Sequence, residues 1–295
     1  MPAATLRELL AELIDYAGLF PPAALPLPDV LSNFASYRTS ADSWALGRLI
    51  VPASRLEELA RVLPADAAAD SRPWRVSALI GGDTVADRSI IDAFEAQKNR
   101  GVLVDAVEVR ASTPAEIDAV VQALGTSRTV YVEIPVRDDP LMLIERIARG
   151  GVRAKIRTGG VTPDAFPTAA QIARFLVACS NHGVPFKATA GLHHPMRGEY
   201  RLTYAADAPR DTMFGFLNVF VAAAFAQGGM PEATLAEFLD ERDPRSIEFG
   251  EHGVAWREHG FTLDVARNAR RTFAIAFGSC SFREPIDDLQ QLGLL

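Results

Sequence analysis

Lysine is scarce in this chain, with three residues against 27 arginines. Two of the three fall inside short apolar stretches, Lys155 in RAKIRTGG (153–160) and Lys187 in VPFKATAG (184–191). The third, Lys98 in EAQKNRG, reads as surface charge near a helix end. Arginine keeps its proton, whereas a desolvated lysine can lose it and attack a carbonyl carbon to form a Schiff base. For that the ammonium pKa must fall from about 10.4 to near neutrality, a change of about 4 kcal/mol. A second ammonium about 5 Å away, at an effective dielectric near 20, supplies roughly 3 kcal/mol. Lys187 beside Lys155 is therefore expected to lower the pKa of Lys155 by most of the required amount.

Acids accompany the two lysines. Side chains two apart on a strand share a face. That puts Glu108 with Arg110 in DAVEVR, Tyr131 with Glu133 in VYVEIP, Lys155 with Arg157 in AKIRTG, and Lys187 with Thr189 in FKATAG. The opposite faces carry Val107 and Val109, Val130 and Val132, Ala154 and Ile156, and Phe186 and Ala188. If helices cover those apolar faces, the charged faces point inward. Buried ions cost several kcal/mol each before pairing. Any one of them could belong to a structural ion-pair network, but the set as a whole points to chemistry. Asp15 closes an early strand and either reaches this site or serves a cap or turn. His193 and His194 follow the Lys187 strand, as loop residues in or near the site. With Glu133 and Glu108, His193 is the nitrogen donor of an alternative, a divalent-metal site. His252 and His259 read as solvated.

These residues need a frame that gathers four strands. Short β-branched runs alternate with amphipathic helical runs from LIDYAGLFPP to VPFKATAGLHHP, giving seven strands, and AIAFGSCSF supplies an eighth. Thr5 and Ser54 read as helix N-caps, with Glu8 completing a capping box. Alternating β and α segments with short connections imply parallel strands with right-handed crossovers. Eight such units predict an α/β fold, a (β/α)8 TIM barrel. A doubly wound open sheet is the other candidate, but no GxGxxG follows the early strands. The whole chain, 1–295, reads as one domain. Residues 196–261 read as an insertion between strands 7 and 8: two helices, 211–229 and 231–242, then a β-hairpin around Gly253. That elaboration could be a lid, a contact for a homo-oligomer, or packing.

The order and content of these segments resemble the deoxyribose-phosphate aldolase family of class I aldolases. LIDYAGLFPP is similar to the family's opening LIDHTLLKP segment, and LIVPASRLEEL to its second strand and helix. DAVEVR resembles the strand of the catalytic aspartate, with Glu108 in that place. KIRTGG resembles K-T-S-T-G, which implies Lys155 as the Schiff-base lysine. FKATAGLHH resembles K-A-S-G-G-I-R, which implies Lys187 as the second lysine, and FGSCSF is similar to the phosphate-binding G-T-S-S turn. The resemblance covers 8–195 and roughly 275–282. Arg157 stands where the family has a small residue, and Ala190 and His193 replace a glycine and an arginine where phosphate would be held. Deoxyribose 5-phosphate is therefore not the expected substrate.

The expectation is a Schiff-base lyase making or breaking a C–C bond in a small carbonyl compound, with no cofactor and no metal. Lys155, Lys187 and Glu108 are the catalytic candidates, Glu108 moving a proton through water. Asp15, Arg110, Glu133, Arg157, Thr158, Thr189, Gly191, His193, Gly278, Ser279 and Ser281 are the substrate-binding candidates. A metal-dependent barrel lyase or hydrolase and a non-catalytic ligand-binding barrel are the alternatives. A net charge of −7 argues against nucleic acid or an anionic membrane surface as partner. The two cysteines lie far apart, which suits a reducing cytoplasm. The N-terminus carries acids where a signal peptide has none, and the longest apolar run, 213–226, is too short to span a bilayer.

Overall fold

A computed structural model describes residues 2–63, 72–97, 101–125 and 127–295. Eight strands close a parallel barrel: β1 (Ile14–Tyr16), β2 (Leu46–Pro52), β3 (Trp74–Leu79), β4 (Val102–Arg110), β5 (Thr129–Glu133), β6 (Arg153–Arg157), β7 (Phe186–Thr189) and, last in the chain, β13 (Ala274–Ser279). Their order around the barrel is the order in the chain, with β13 pairing both β7 and β1. Helices α1 (Ala4–Leu10), α2 (Leu27–Thr39), α3 (Leu56–Val62), α4 (Thr84–Ala96), α5 (Pro114–Leu124), α6 (Leu141–Gly150) and α7 (Ala169–Asn181) precede or alternate with the first seven strands. The chain is an α/β protein with a closed eight-stranded (β/α)8 barrel, as the alternation of segments predicts.

Residues 196–261 are less foreign to the barrel than expected. They hold a hairpin, β8 (Gly198–Arg201) with β9 (Arg210–Met213), then α8 (Phe216–Gln227) and α9 (Glu232–Leu239). A three-stranded sheet follows, β10 (Ile247–Phe249), β11 (Gly253–Trp256) and β12 (His259–Thr262), and leads into α10 (Leu263–Thr272). α11 (Arg283–Gln291) follows β13. α8 is the helix that follows β7, and every residue from Phe216 to Ala226 is buried. Phe220 packs against Phe186 of β7 and Phe277 of β13, and Phe216 stacks on Phe277 at 5.2 Å. A helix apolar on all sides is a core helix, so α8 supplies the barrel's own outer layer rather than an appendage. The one polar side chain in its middle, Asn218, accepts from the Arg197 N–H and donates to the carbonyls of Phe238 and Glu241.

Three local expectations change. The stretch that begins at 211 starts as strand β9, not helix. The expected single hairpin around Gly253 is a three-stranded meander in which Gly253 opens the middle strand. Thr5 does not cap α1 but sits buried inside it, its hydroxyl donated to the Gly250 carbonyl at 2.7 Å. Nor does Ser54 cap α3, which begins two residues later without a side-chain cap. Lys98 lies outside the described residues. No helix among the described residues is long and apolar enough to cross a membrane.

Candidate active site

The register of the barrel lines up the charged positions. Arg110 pairs with Glu133, Glu133 with Lys155, and Lys155 with Lys187, across β4, β5, β6 and β7. One step further along β6 and β7, Arg157 pairs with Thr189, and Thr189 with Gly278 on β13, itself the partner of Asp15. The inward orientation read from alternation holds at the buried positions, whereas Arg110 and Arg157, nearer the strand ends, stay exposed and partly exposed. Glu108, Glu133, Lys155 and Lys187 are all buried, while the apolar partners on the opposite faces belong to the helix-covered core.

Glu108 is the hub. Its Oε1 accepts from Lys187 Nζ at 2.6 Å and from the Ser77 hydroxyl at 2.7 Å, while its Oε2 lies 2.9 Å from Lys155 Nζ. Burial would raise the Glu108 pKa, but the two ammonium groups outweigh it and hold the carboxyl well below the usual carboxylate range. Lys187 also donates to Asp15 Oδ2 at 2.5 Å, and Asp15 is fixed by the Arg48 backbone N–H at 2.6 Å. Burial would lower the Lys187 pKa, yet Asp15 and Glu108 together raise it above the ordinary lysine value. Lys187 is thus a cation locked in place, completely buried beneath the site.

Lys155 is held differently. Its Nζ lies 2.9 Å from Glu108 Oε2 and 2.8 Å from Glu133 Oε2. Glu133 Oε1 receives the Nε of Arg110 and of Arg157, each at 3.2 Å. Burial pushes the Glu133 pKa up, but Lys155, Arg157 and Arg110 bring it below its ordinary value. The expectation of two ammonium groups facing each other is therefore corrected. The lysines are strand neighbours, but Glu108 stands between their charges.

A cavity of about 660 Å³ opens at the C-terminal end of the barrel over Lys155, Glu108 and Glu133. Arg110, Arg157, Thr189, Gly191, His193 and Gly278 line it, all of them expected from the sequence. Apolar walls come from Phe20, Pro21 and Pro22 after β1, from Ile50 and Leu79, and from Leu202 of the segment joining β8 to β9. Gly191, with φ of 72°, approaches the Gly159 backbone so closely that a Cβ would lie 2.9 Å from the Gly159 Cα.

Several candidates are not walls of this cavity. Thr158 is fully buried and donates its hydroxyl to the Ala190 carbonyl at 2.7 Å, tying the ends of β6 and β7 together. The Ser281 hydroxyl accepts the Glu284 N–H at the start of α11, and Ser279 is buried beside it, accepting the Ser281 N–H. Asp15 is buried beneath the cavity and meets Lys187 instead. His193 borders the cavity but turns its Nδ1 to Glu284 at 3.3 Å, with the Cys280 sulfur at 3.7 Å. Burial would lower its pKa, and these partners raise it to about 10, so it is a poor base or ligand at neutral pH. The metal constellation of Glu108, Glu133 and His193 is not assembled, and no group of three metal-ligating side chains converges among the described residues. His194 pairs with Asp288 at 2.6 Å and stacks on Tyr200.

Ser77 and Cys280 were missed. Alternation applied to WRVSAL places Arg75, Ser77 and Leu79 on one face, so the hydroxyl was legible; Cys280 lies just past the end of β13, where alternation gives no guide. No protein-family model matches the chain, and no curated protein matches its sequence.

Proposed function

We propose that the chain is a Schiff-base-forming lyase that makes or breaks a C–C bond in a small carbonyl compound. The observation that carries this is the contrast between the two lysines. Lys187 is completely buried between Asp15 and Glu108 beneath the cavity, whereas Lys155, between Glu108 and Glu133, forms part of the cavity floor.

In the reaction, a proton passes from Lys155 Nζ to a neighbouring carboxylate. The freed lone pair forms a bond to the carbonyl carbon, and the carbonyl oxygen takes up protons and leaves as water, giving an iminium ion. Glu108, through a water, removes the proton of a hydroxyl two carbons from the iminium carbon. The intervening C–C bond breaks, its electron pair moves into the iminium to form an enamine, and an aldehyde departs. Protonation of the enamine carbon and hydrolysis then restore the amine. Lys187 keeps Glu108 ionised. Glu133 and Arg157 orient the substrate, and the apolar walls keep water away.

A borohydride screen of simple aldehydes and 2-oxo acids, read by intact mass, tests this. The wild-type chain gains one reduced adduct with at least one of them and Lys155→Arg gains none. No adduct with any carbonyl, together with unchanged activity of Lys155→Arg on the true substrate, sinks the proposal.

A further inference from the structure

One carboxylate answers three cations beside the cavity. Glu133 presents Oε2 to Lys155 and Oε1 to both Arg110 and Arg157. Among the described residues no other partner meets either guanidinium, so the terminal Nη groups of both arginines are free. The two arginines line the cavity on one side and a neighbouring cleft of about 620 Å³ on the other. The charged groups in contact here are the cations Lys155, Lys187, Arg110 and Arg157 and the anions Asp15, Glu108 and Glu133. His193 and Glu284 form a pair of their own. One positive charge is left over, in a chain whose net charge is −7.

We infer that Arg110 and Arg157 seat a substrate carboxylate, so that the carbonyl compound is a short oxo acid. Two planar guanidinium forks already converge on one carboxylate oxygen, and such forks match a carboxylate through paired N–H donors. The seat lies one carboxylate's width from the Lys155 amine, which fits a carboxylate on the carbonyl carbon or one carbon beyond. When the substrate draws the guanidiniums to itself, Glu133 loses two of the three cations that keep it ionised. Its Oε2, 2.8 Å from Lys155 Nζ, then becomes a better acceptor for the Lys155 proton, so the substrate's own charge prepares the nucleophile. The identity of the carbonyl compound rests on Lys155 as nucleophile; the anion seat does not.

Binding of lactate and lactamide, neither of which can form an imine, reads the seat alone. Lactate binds at least about tenfold more tightly than lactamide, a difference of about 1.4 kcal/mol. R110Q and R157Q each shrink that preference, and the double variant abolishes it with an unchanged melting midpoint. Equal binding of the two probes overturns the inference, as does a double variant that still prefers lactate. Displacement of lactate by an equal concentration of inorganic phosphate also overturns it, in favour of a phosphate-bearing substrate. Reductive trapping then compares pyruvate with acetone. The expected result is faster trapping of pyruvate, with a loss of about tenfold in R157Q that acetone does not share. Equal trapping of both by the wild-type chain sinks the oxo acid and leaves Lys155 as nucleophile. A wild-type chain that prefers lactate but traps no carbonyl at all keeps the seat and removes the nucleophile.

Discussion

Two clusters of charge occupy opposite ends of this barrel, and they are centred on different cations. At the N-terminal end, Arg48 grips Asp105 with Nε at 2.7 Å and Nη2 at 2.8 Å, and Arg75 bridges Asp105 to Glu12. At the C-terminal end, Lys155 and Lys187 share Glu108, while, among the described residues, Arg110 and Arg157 meet only Glu133 at the rim. The arginine cluster is bidentate, cannot be deprotonated, and braces the mouth of the barrel where β2, β3 and β4 begin. The lysine cluster faces the cavity and contains the only cation type that can become a nucleophile. Two of the chain's three lysines stand here, so the proposed nucleophile differs in residue type from the bracing cations of the other end.

The largest expected effect sharpens that contrast. Lys155→Arg keeps the charge and the fold but abolishes carbonyl trapping, a loss on the order of a thousandfold or more. Adduct yield under borohydride measures it, and trapping that survives in this variant breaks the contrast. Lys187→Met leaves Asp15 buried without its cation and Glu108 with Lys155 alone, and is expected to cost about 3–5 kcal/mol in denaturant unfolding. A loss under about 1 kcal/mol would mean Lys187 is not the locked cation described.

Gly47→Ala strikes the link between the clusters. An added Cβ would lie 2.2 Å from Asp15 Oδ1, so Asp15 must shift from Lys187 and from the Arg48 N–H it accepts. Equilibrium unfolding should show a loss of about 1–3 kcal/mol. Arg48→Lys removes only the fork at the N-terminal end and should cost about 1–2 kcal/mol with trapping untouched. Trapping that fell in this variant would show that the two ends are not separable.

The pH dependence separates the ends as well. The pKa values of Glu108 and Glu133 are lowered on folding, so their stabilisation is complete above the unfolded value near 4.3 and fades as pH falls toward the folded values. Lys187 is raised, so its stabilisation is complete below the unfolded value near 10.4 and fades as pH rises beyond it. A guanidinium keeps its proton and brings no such alkaline loss. Melting midpoints measured above pH about 10.4 should fall in the wild-type chain and flatten in Lys187→Met. An alkaline fall that persists in the variant would place its cause elsewhere.

Much of this arrangement was legible in the sequence because strand alternation is a strong signal where one face is charged and the other apolar. Glu108, Glu133, Lys155, Arg157 and Lys187 were found that way, and the closed barrel followed from counting strands. What alternation could not give was which acid meets which base. Side-chain reach placed Glu108 between the lysines, where a bare ammonium pair was expected. α8 was misread because a helix buried on every side has no amphipathic period, and nothing in its sequence distinguishes an insertion from a barrel helix. Thr158 and Ser281 read as binders because hydroxyls near strand ends look alike until their partners are known. Both hydroxyls bond to backbone.

The central claim, that Lys155 reacts while Lys187 is held, is tested most directly by mapping the reduced adduct. With three lysines in the chain, a digest after borohydride trapping assigns the modified residue without ambiguity. The account predicts the mass increase on the peptide containing Lys155 and none on that containing Lys187. An adduct on Lys187 or Lys98, with Lys155 unmodified, would contradict it.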